Sequence, residues 1–182
     1  MADGHPNANL VAWLRTFAAA PIRKRCLVVG CGRGDDAEAL ASAGFEVTAF
    51  DIAPTAIEAA QRRFPRSGVD YTVADILHPP PAWTAAFDLV FEAYTLQGLP
   101  IALRRAAMLS MTTLLATAGR VFVLCRARDS GDPLGERPWP LSREELTAFE
   151  DAGLRATSID DVLDDETPPV RRFRAFFDRL EA

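Results

Sequence analysis

The residues most able to do chemistry stand between positions 27 and 97. Leu27-Val28-Val29-Gly30-Cys31-Gly32-Arg33-Gly34-Asp35-Asp36 is an apolar run that feeds three alternate glycines and then two acids. A strand entering a glycine loop and then a helix puts that loop where open α/β sheets bind ligands, and glycine lets backbone and ligand meet without an intervening Cβ. The dinucleotide fingerprint would have its third glycine at position 35, which is Asp35, and no Gly-Lys-Ser/Thr is present to make a P-loop. Asp35 and Asp36 fall at the expected start of the next helix. There they suit the helix dipole and occupy the place that a pyrophosphate would take. A ligand with a cationic amine or sulfonium and no phosphate meets no such repulsion.

Two further acids stand at the ends of apolar runs. Asp51 follows Val47-Thr48-Ala49-Phe50. A carboxylate at that place accepts hydrogen bonds from both hydroxyls of a ribose, each worth about 1.5–3 kcal/mol, or caps the helix that follows. Asp75 closes the run Val73-Ala74-Asp75-Ile76 and either addresses an adenine edge or serves a turn. Ile52 and Ile76 beside them offer apolar faces to the same base. S-adenosylmethionine, a nucleoside with amine, sulfonium and no phosphate, has the chemistry this set would hold.

Composition narrows the field. The chain has 182 residues, 49% of them hydrophobic and 25% charged, which suits one globular domain. We expect residues 1–182 to form a single domain, with residues 1–22 a helical cap and 26–182 the core. A formal charge of -5 removes the basic field that dominates nucleic-acid affinity. No apolar run reaches the roughly 20 residues of a membrane span, and the N-terminus lacks the pattern of a signal peptide. Cys26, Cys31 and Cys125 form no CxxC pair, and His5 and His78 are the only histidines. Disulfide scaffold, zinc site and catalytic triad are thereby disfavoured, and a reducing cytoplasm is expected. The expected partner is a small molecule, with neither nucleic acid nor membrane; the sequence leaves monomer and homodimer open.

The elements that must position these residues alternate strand and helix. Strands are expected at 26–30, 45–50, 69–74, 87–91 and 120–126, with helices at 8–20, 35–43, 54–64, 100–116 and 142–152 between or before them. Ser142 and Glu145 match a capping box. Two more strands, 154–159 and 172–177, follow one another without a helix, so they are expected to be antiparallel, although the spacing of the final segment would also suit a terminal helix. The fold class is α/β: a Rossmann-like, seven-stranded, mostly parallel sheet with a C-terminal antiparallel hairpin and helices on both faces.

The glycines at 30, 32 and 34, then Asp51, then Ala74-Asp75-Ile76, then Phe87-Asp88-Leu89-Val90 together resemble class I S-adenosylmethionine-dependent methyltransferases, over nearly the whole of 26–177. Within that family it resembles small bacterial methyltransferase-domain proteins more closely than thiopurine or halide methyltransferases. Arg137-Pro138-Trp139-Pro140-Leu141-Ser142 also resembles the proline-rich stretch after strand five of thiopurine and halide methyltransferases. The resemblance implies S-adenosylmethionine as cofactor, S-adenosylhomocysteine as product, and cofactor contacts at Gly30, Cys31, Gly32, Gly34, Asp51, Ile52, Asp75 and Ile76. It further implies that the segment after strand four, Glu92 to Gln97, lines cofactor and acceptor. Base methyltransferases carry an Asn/Asp-Pro-Pro-aromatic motif there, whereas Glu92-Ala93-Tyr94-Thr95 stands in this chain.

Methyl transfer from a sulfonium needs alignment and exclusion of water, and a base only when the acceptor is a hydroxyl. By position the candidate bases are Glu92 and Tyr94. Glu92 would alternatively contact the cofactor's amino group, and Tyr94 would alternatively pack. For the acceptor, an S, O or N nucleophile, the candidates are Trp13 and Phe17 on the first helix, Tyr94, Leu96 and Trp139. Trp13 and Phe17 either cap the cofactor or pack that helix on the sheet. The alternative function is a protein of the same fold that binds S-adenosylmethionine without transferring its methyl.

Overall fold

The computed structural model describes residues 4–16, 24–164 and 166–180. Seven strands form one sheet: β1 (Arg25–Val29), β2 (Glu46–Asp51), β3 (Asp70–Val73), β4 (Phe87–Ala93), β5 (Leu115–Arg126), β6 (Leu154–Leu163) and β7 (Arg171–Arg179). Their order across the sheet is β3-β2-β1-β4-β5-β7-β6. The first five pair in parallel, and β7 inserts antiparallel between β5 and β6. The chain reverses direction across the sheet between β1 and β4, and ligand crevices of open α/β sheets form at such a switch point.

Apolar alternation along the strands builds two cores. Cys26, Val28, Val47, Phe91 and Phe122 face the helices α1 (Ala8–Thr16), α2 (Asp35–Ser42) and α3 (Pro54–Arg63). Leu27, Val29, Val90, Val121 and Val123 face α4 (Ile101–Leu114), α5 (Arg143–Leu146) and α6 (Ala148–Asp151). The strands are therefore apolar on both faces, as a doubly covered sheet requires. β7 belongs to both layers: Phe173 and Phe177 enter one core and Phe176 the other, stacked on Phe122 with centroids 4.3 Å apart.

Two departures from the sequence pattern have physical causes. The capping box at Ser142 and Glu145 forms as expected. The helix it starts breaks at Thr147, whose hydroxyl donates to the Glu144 carbonyl at 2.7 Å and whose amide makes an i→i−3 bond to the same oxygen. β5 begins at Leu115 rather than Arg120, directly from α4, because Leu115 already pairs with Phe87 before the register shifts. Residues 1–3 and 17–22 of the expected cap lie outside the described residues.

Candidate active site

The glycine loop turns on two close approaches. Gly30 has φ +63°, and a Cβ there would stand 2.1 Å from the Thr95 hydroxyl. Gly32 has φ +53°, and a Cβ there would meet nothing within 4 Å, so it would project into open space. Asp51, at the end of β2, holds the loop: one carboxylate oxygen accepts from the Gly32 amide at 3.0 Å and the other from the Ala53 amide at 2.9 Å. Each oxygen keeps a lone pair. Beside Asp51, Ile52 is 69% exposed, and Val73 at the end of β3 is 49% exposed. These are two large apolar side chains bare at the same edge. Gly34 caps α2. Cys31 bonds through its backbone amide to the Phe50 carbonyl, and burial together with nearby Asp51 pushes its thiol up to about 12.

The acids at the start of α2 are not two free charges facing a ligand. Asp35 is bound by Arg63 at 2.6 Å. Asp36 accepts the Asn7 amide at 2.6 Å, and burial raises its carboxyl to about 6. Neither signal was readable locally, since Arg63 and Asn7 lie 28 and 29 positions away. Asp75 stands at the end of β3 with its carboxylate engaged by the Leu77 amide and by exposed His78, both at 2.9 Å. The His78 contact, then the Leu77 amide, hold its pKa below the usual range. Ile76 is in the core with Leu27 and Phe50 rather than at the crevice surface.

The segment after β4 divides the expected residues. Glu92 is fully buried: one oxygen accepts the Thr95 and Leu96 amides at 2.5 and 2.9 Å, and the other has no partner among the described residues. Burial raises its carboxyl to about 7. The structure therefore places Glu92 under the Leu96–Gly98 turn, capping it. Leu96 is in the core, not against an acceptor. Tyr94 does reach the crevice, at φ +68°, a conformation uncommon outside glycine. Its hydroxyl accepts from the Asn7 side chain at 2.8 Å, and its ring lies under the Arg172 guanidinium, 4.9 Å away. Burial raises its pKa.

Trp13 is not brought to the crevice. It packs against Phe122, Phe176 and Phe45 and lines a small hollow of about 190 Å³ with Lys24 and Asp88, at the opposite ends of the strands. The cause is the amphipathic stripe of α1, which buries on the sheet. Phe17 lies outside the described residues. Trp139 donates its amide to the Gln97 carbonyl and stacks under Arg137, while its neighbour Pro138 lines the crevice. Arg104, fully buried, fixes this loop through the Trp139 carbonyl at 2.8 Å and Glu145 at 2.6 Å.

The crevice has a volume of about 590 Å³. Gly30, Gly32 and Asp36 line one half; Tyr94, Arg126 and Arg172 line the other; the segment 5–9 runs along it. Gln97, the end of the segment expected after strand four, lines the crevice. Asn7, Arg126 and Arg172 were not read from the sequence. Of these three Arg126 alone had a usable signal, because it ends the apolar run Val121-Phe122-Val123-Leu124-Cys125, where ligands are met.

A family model described as the methyltransferase domain matches residues 26–119. The chain is 32% identical over 105 residues to a ubiquinone biosynthesis O-methyltransferase of Xanthomonas axonopodis pv. citri, an alignment covering 57% of this chain and 43% of that protein. It is 38% identical over 104 residues to the protein of the same name from Xylella fastidiosa, covering 54% and 40%. The chain spans less than half the length of these curated relatives. Among solved structures, the N-methyltransferase NodS from Bradyrhizobium japonicum, in complex with S-adenosylhomocysteine, superposes with a TM-score of 0.77 at 22% identity. That match covers 99% of this chain and 91% of NodS, a likeness of fold.

Proposed function

The chain belongs to the methyltransferase-domain family of class I S-adenosylmethionine-dependent proteins, and from that premise we propose that it transfers a methyl group from S-adenosylmethionine to a small-molecule acceptor. The observation that carries this reading is the open face of Gly32 beside Asp51. The loop leaves room for a ligand where any side chain would intrude, and the adjacent carboxylate keeps a lone pair on each oxygen for a ribose diol. Ile52 and Val73 offer the bare apolar surface that an adenine would cover. Gly30 holds its place by packing on Thr95, whose hydroxyl donates to the Val29 carbonyl at 3.1 Å.

The cofactor, when bound, supplies a methyl on a positively charged sulfur. This chain's residues do the rest. Tyr94, fixed by Asn7 and Arg172, forms the surface between the two halves of the crevice. Glu92 is fully buried and does not line the crevice, and Tyr94, which does, is a phenol whose pKa burial raises, so neither offers the acceptor a strong base. Rate therefore comes chiefly from alignment and from displacement of water, effects that reach about 7–11 kcal/mol in well-oriented reactions. The O-methyltransferase names of the relatives make hydroxyl compounds the first acceptor class to try, with thiols and amines beside them.

The test is an acceptor panel of phenols, thiols and amines incubated with S-adenosylmethionine, with S-adenosylhomocysteine and methylated product as readouts. Product from at least one class is expected. Cofactor binding with no product from any class would leave a binding protein and overturn the transferase reading.

A further inference from the structure

We propose that the acceptor carries a carboxylate and that Arg126 binds it. This rests on reading the crevice as a methyl-transfer site, and it names the acceptor's chemical class.

The order of strand ends across the crevice separates two halves. Asp51 ends β2, Gly30 follows β1, Ala93 ends β4, Arg126 ends β5 and Arg172 stands near the start of β7. With strands roughly 4.8 Å apart, β5 lies about 10 Å from β1. Arg126 is therefore on the acceptor side, beyond Tyr94 from the glycine loop. Its backbone amide donates a hydrogen bond to the Gln97 side-chain oxygen at 2.8 Å, which fixes the strand end.

Among the described residues the charges of the crevice are satisfied by neighbours, except those of Arg33 and Arg126. Arg172, its direct cross-strand partner, is neutralised by Asp164 and Glu166. Asp35 is bound by Arg63, and Asp36 by the Asn7 amide. Arg33 lines the crevice as well, exposed on the glycine loop and thus on the cofactor side. Among the described residues no hydrogen bond or ion pair reaches the Arg126 guanidinium, although it is half-buried in the crevice wall. A partly desolvated cation without a partner is costly, and an anion that arrives with the substrate removes that cost. A guanidinium presents paired N–H groups that match a carboxylate in two parallel bonds, which also fixes the acceptor's orientation.

Binding can be read without turnover. Acetate, benzoate and 4-hydroxybenzoate, each against its neutral amide, are titrated by ligand-observed NMR into the protein with and without S-adenosylhomocysteine. At least one acid should bind roughly 10-fold or more tightly than its amide, the lower end of the range for a charge-assisted bond. Arg126→Gln should abolish that preference while the affinity for S-adenosylhomocysteine stays within about twofold, since a residue placed only on the acceptor side has no bond to lose there. The proposal is overturned if no acid is preferred, if the preference survives in Arg126→Gln, or if that variant loses cofactor affinity instead. Failure of methyl transfer with every acceptor would strike the transferase reading alone, because the acid preference is measured independently.

Discussion

The same added methyl at Gly30 and at Gly32 should act on different quantities, folding at the first and cofactor binding at the second. At Gly30 an added Cβ overlaps the Thr95 hydroxyl at 2.1 Å, and the backbone holds φ +63°. Left-handed strain of roughly 1–2 kcal/mol and overpacking of about 1–3 kcal/mol together give a loss near 2–5 kcal/mol. For a chain of this size that lowers Tm by about 5–20 °C. At Gly32 the same addition meets no protein atom within 4 Å, so only the strain of φ +53° remains, roughly 1–2 kcal/mol and a few degrees. If the open space belongs to the cofactor, the Gly32→Ala methyl collides with it instead. Overpacking of about 1–3 kcal/mol then weakens binding by roughly 5- to 150-fold. Thermal unfolding with calorimetric titration of S-adenosylhomocysteine reads both quantities on each variant. Gly32→Ala binding as well as the parent, or Gly30→Ala melting no lower, would refute the reasoning.

Asp36, ordinarily near 3.8 and raised by burial to about 6, binds more protons folded than unfolded between those values, so stability should fall as pH rises through that window. Urea denaturation at pH 5 and pH 7.5 should show this drop, and Asp36→Asn should diminish it. Glu92→Gln keeps an acceptor for the Thr95 and Leu96 amides and removes a buried carboxyl, so folding and turnover should both survive; loss of turnover with cofactor binding intact would restore Glu92 as a base. Arg104→Ala leaves Glu145 with Arg128 alone as its cation and takes the donor from the Trp139 carbonyl, and should cost about 1–3 kcal/mol in chemical denaturation.

The sheet was legible because its signals are local. Apolar runs such as 26–29 and 121–125 are buried on both faces, and glycine, proline and capping-box punctuation fell at the observed boundaries. Gly30, Gly32 and Asp51 were legible for the same reason: the loop and strand end that hold them are fixed by neighbours in sequence. What lies across the crevice was not. Asn7 on Asp36 and Tyr94, Arg63 on Asp35, and Arg172 on Tyr94 are contacts between distant segments, and no spacing announces them. Glu92 and Leu96 misled because β4 extends two residues beyond Phe91 and the turn after it folds inward, which buries both side chains. Trp13 misled because a helical apolar stripe looks the same whether it covers a sheet or a ligand.

The most direct test of the central claim, that the Gly30–Gly34 loop and Asp51 hold a phosphate-free, positively charged nucleoside, is calorimetry with S-adenosylmethionine, S-adenosylhomocysteine and NAD on the parent chain and on Asp51→Ala. The account predicts micromolar binding of the first two, none of NAD, and a loss of roughly 10- to 150-fold in Asp51→Ala. NAD binding as tightly as S-adenosylhomocysteine, or unchanged affinity in Asp51→Ala, would contradict it.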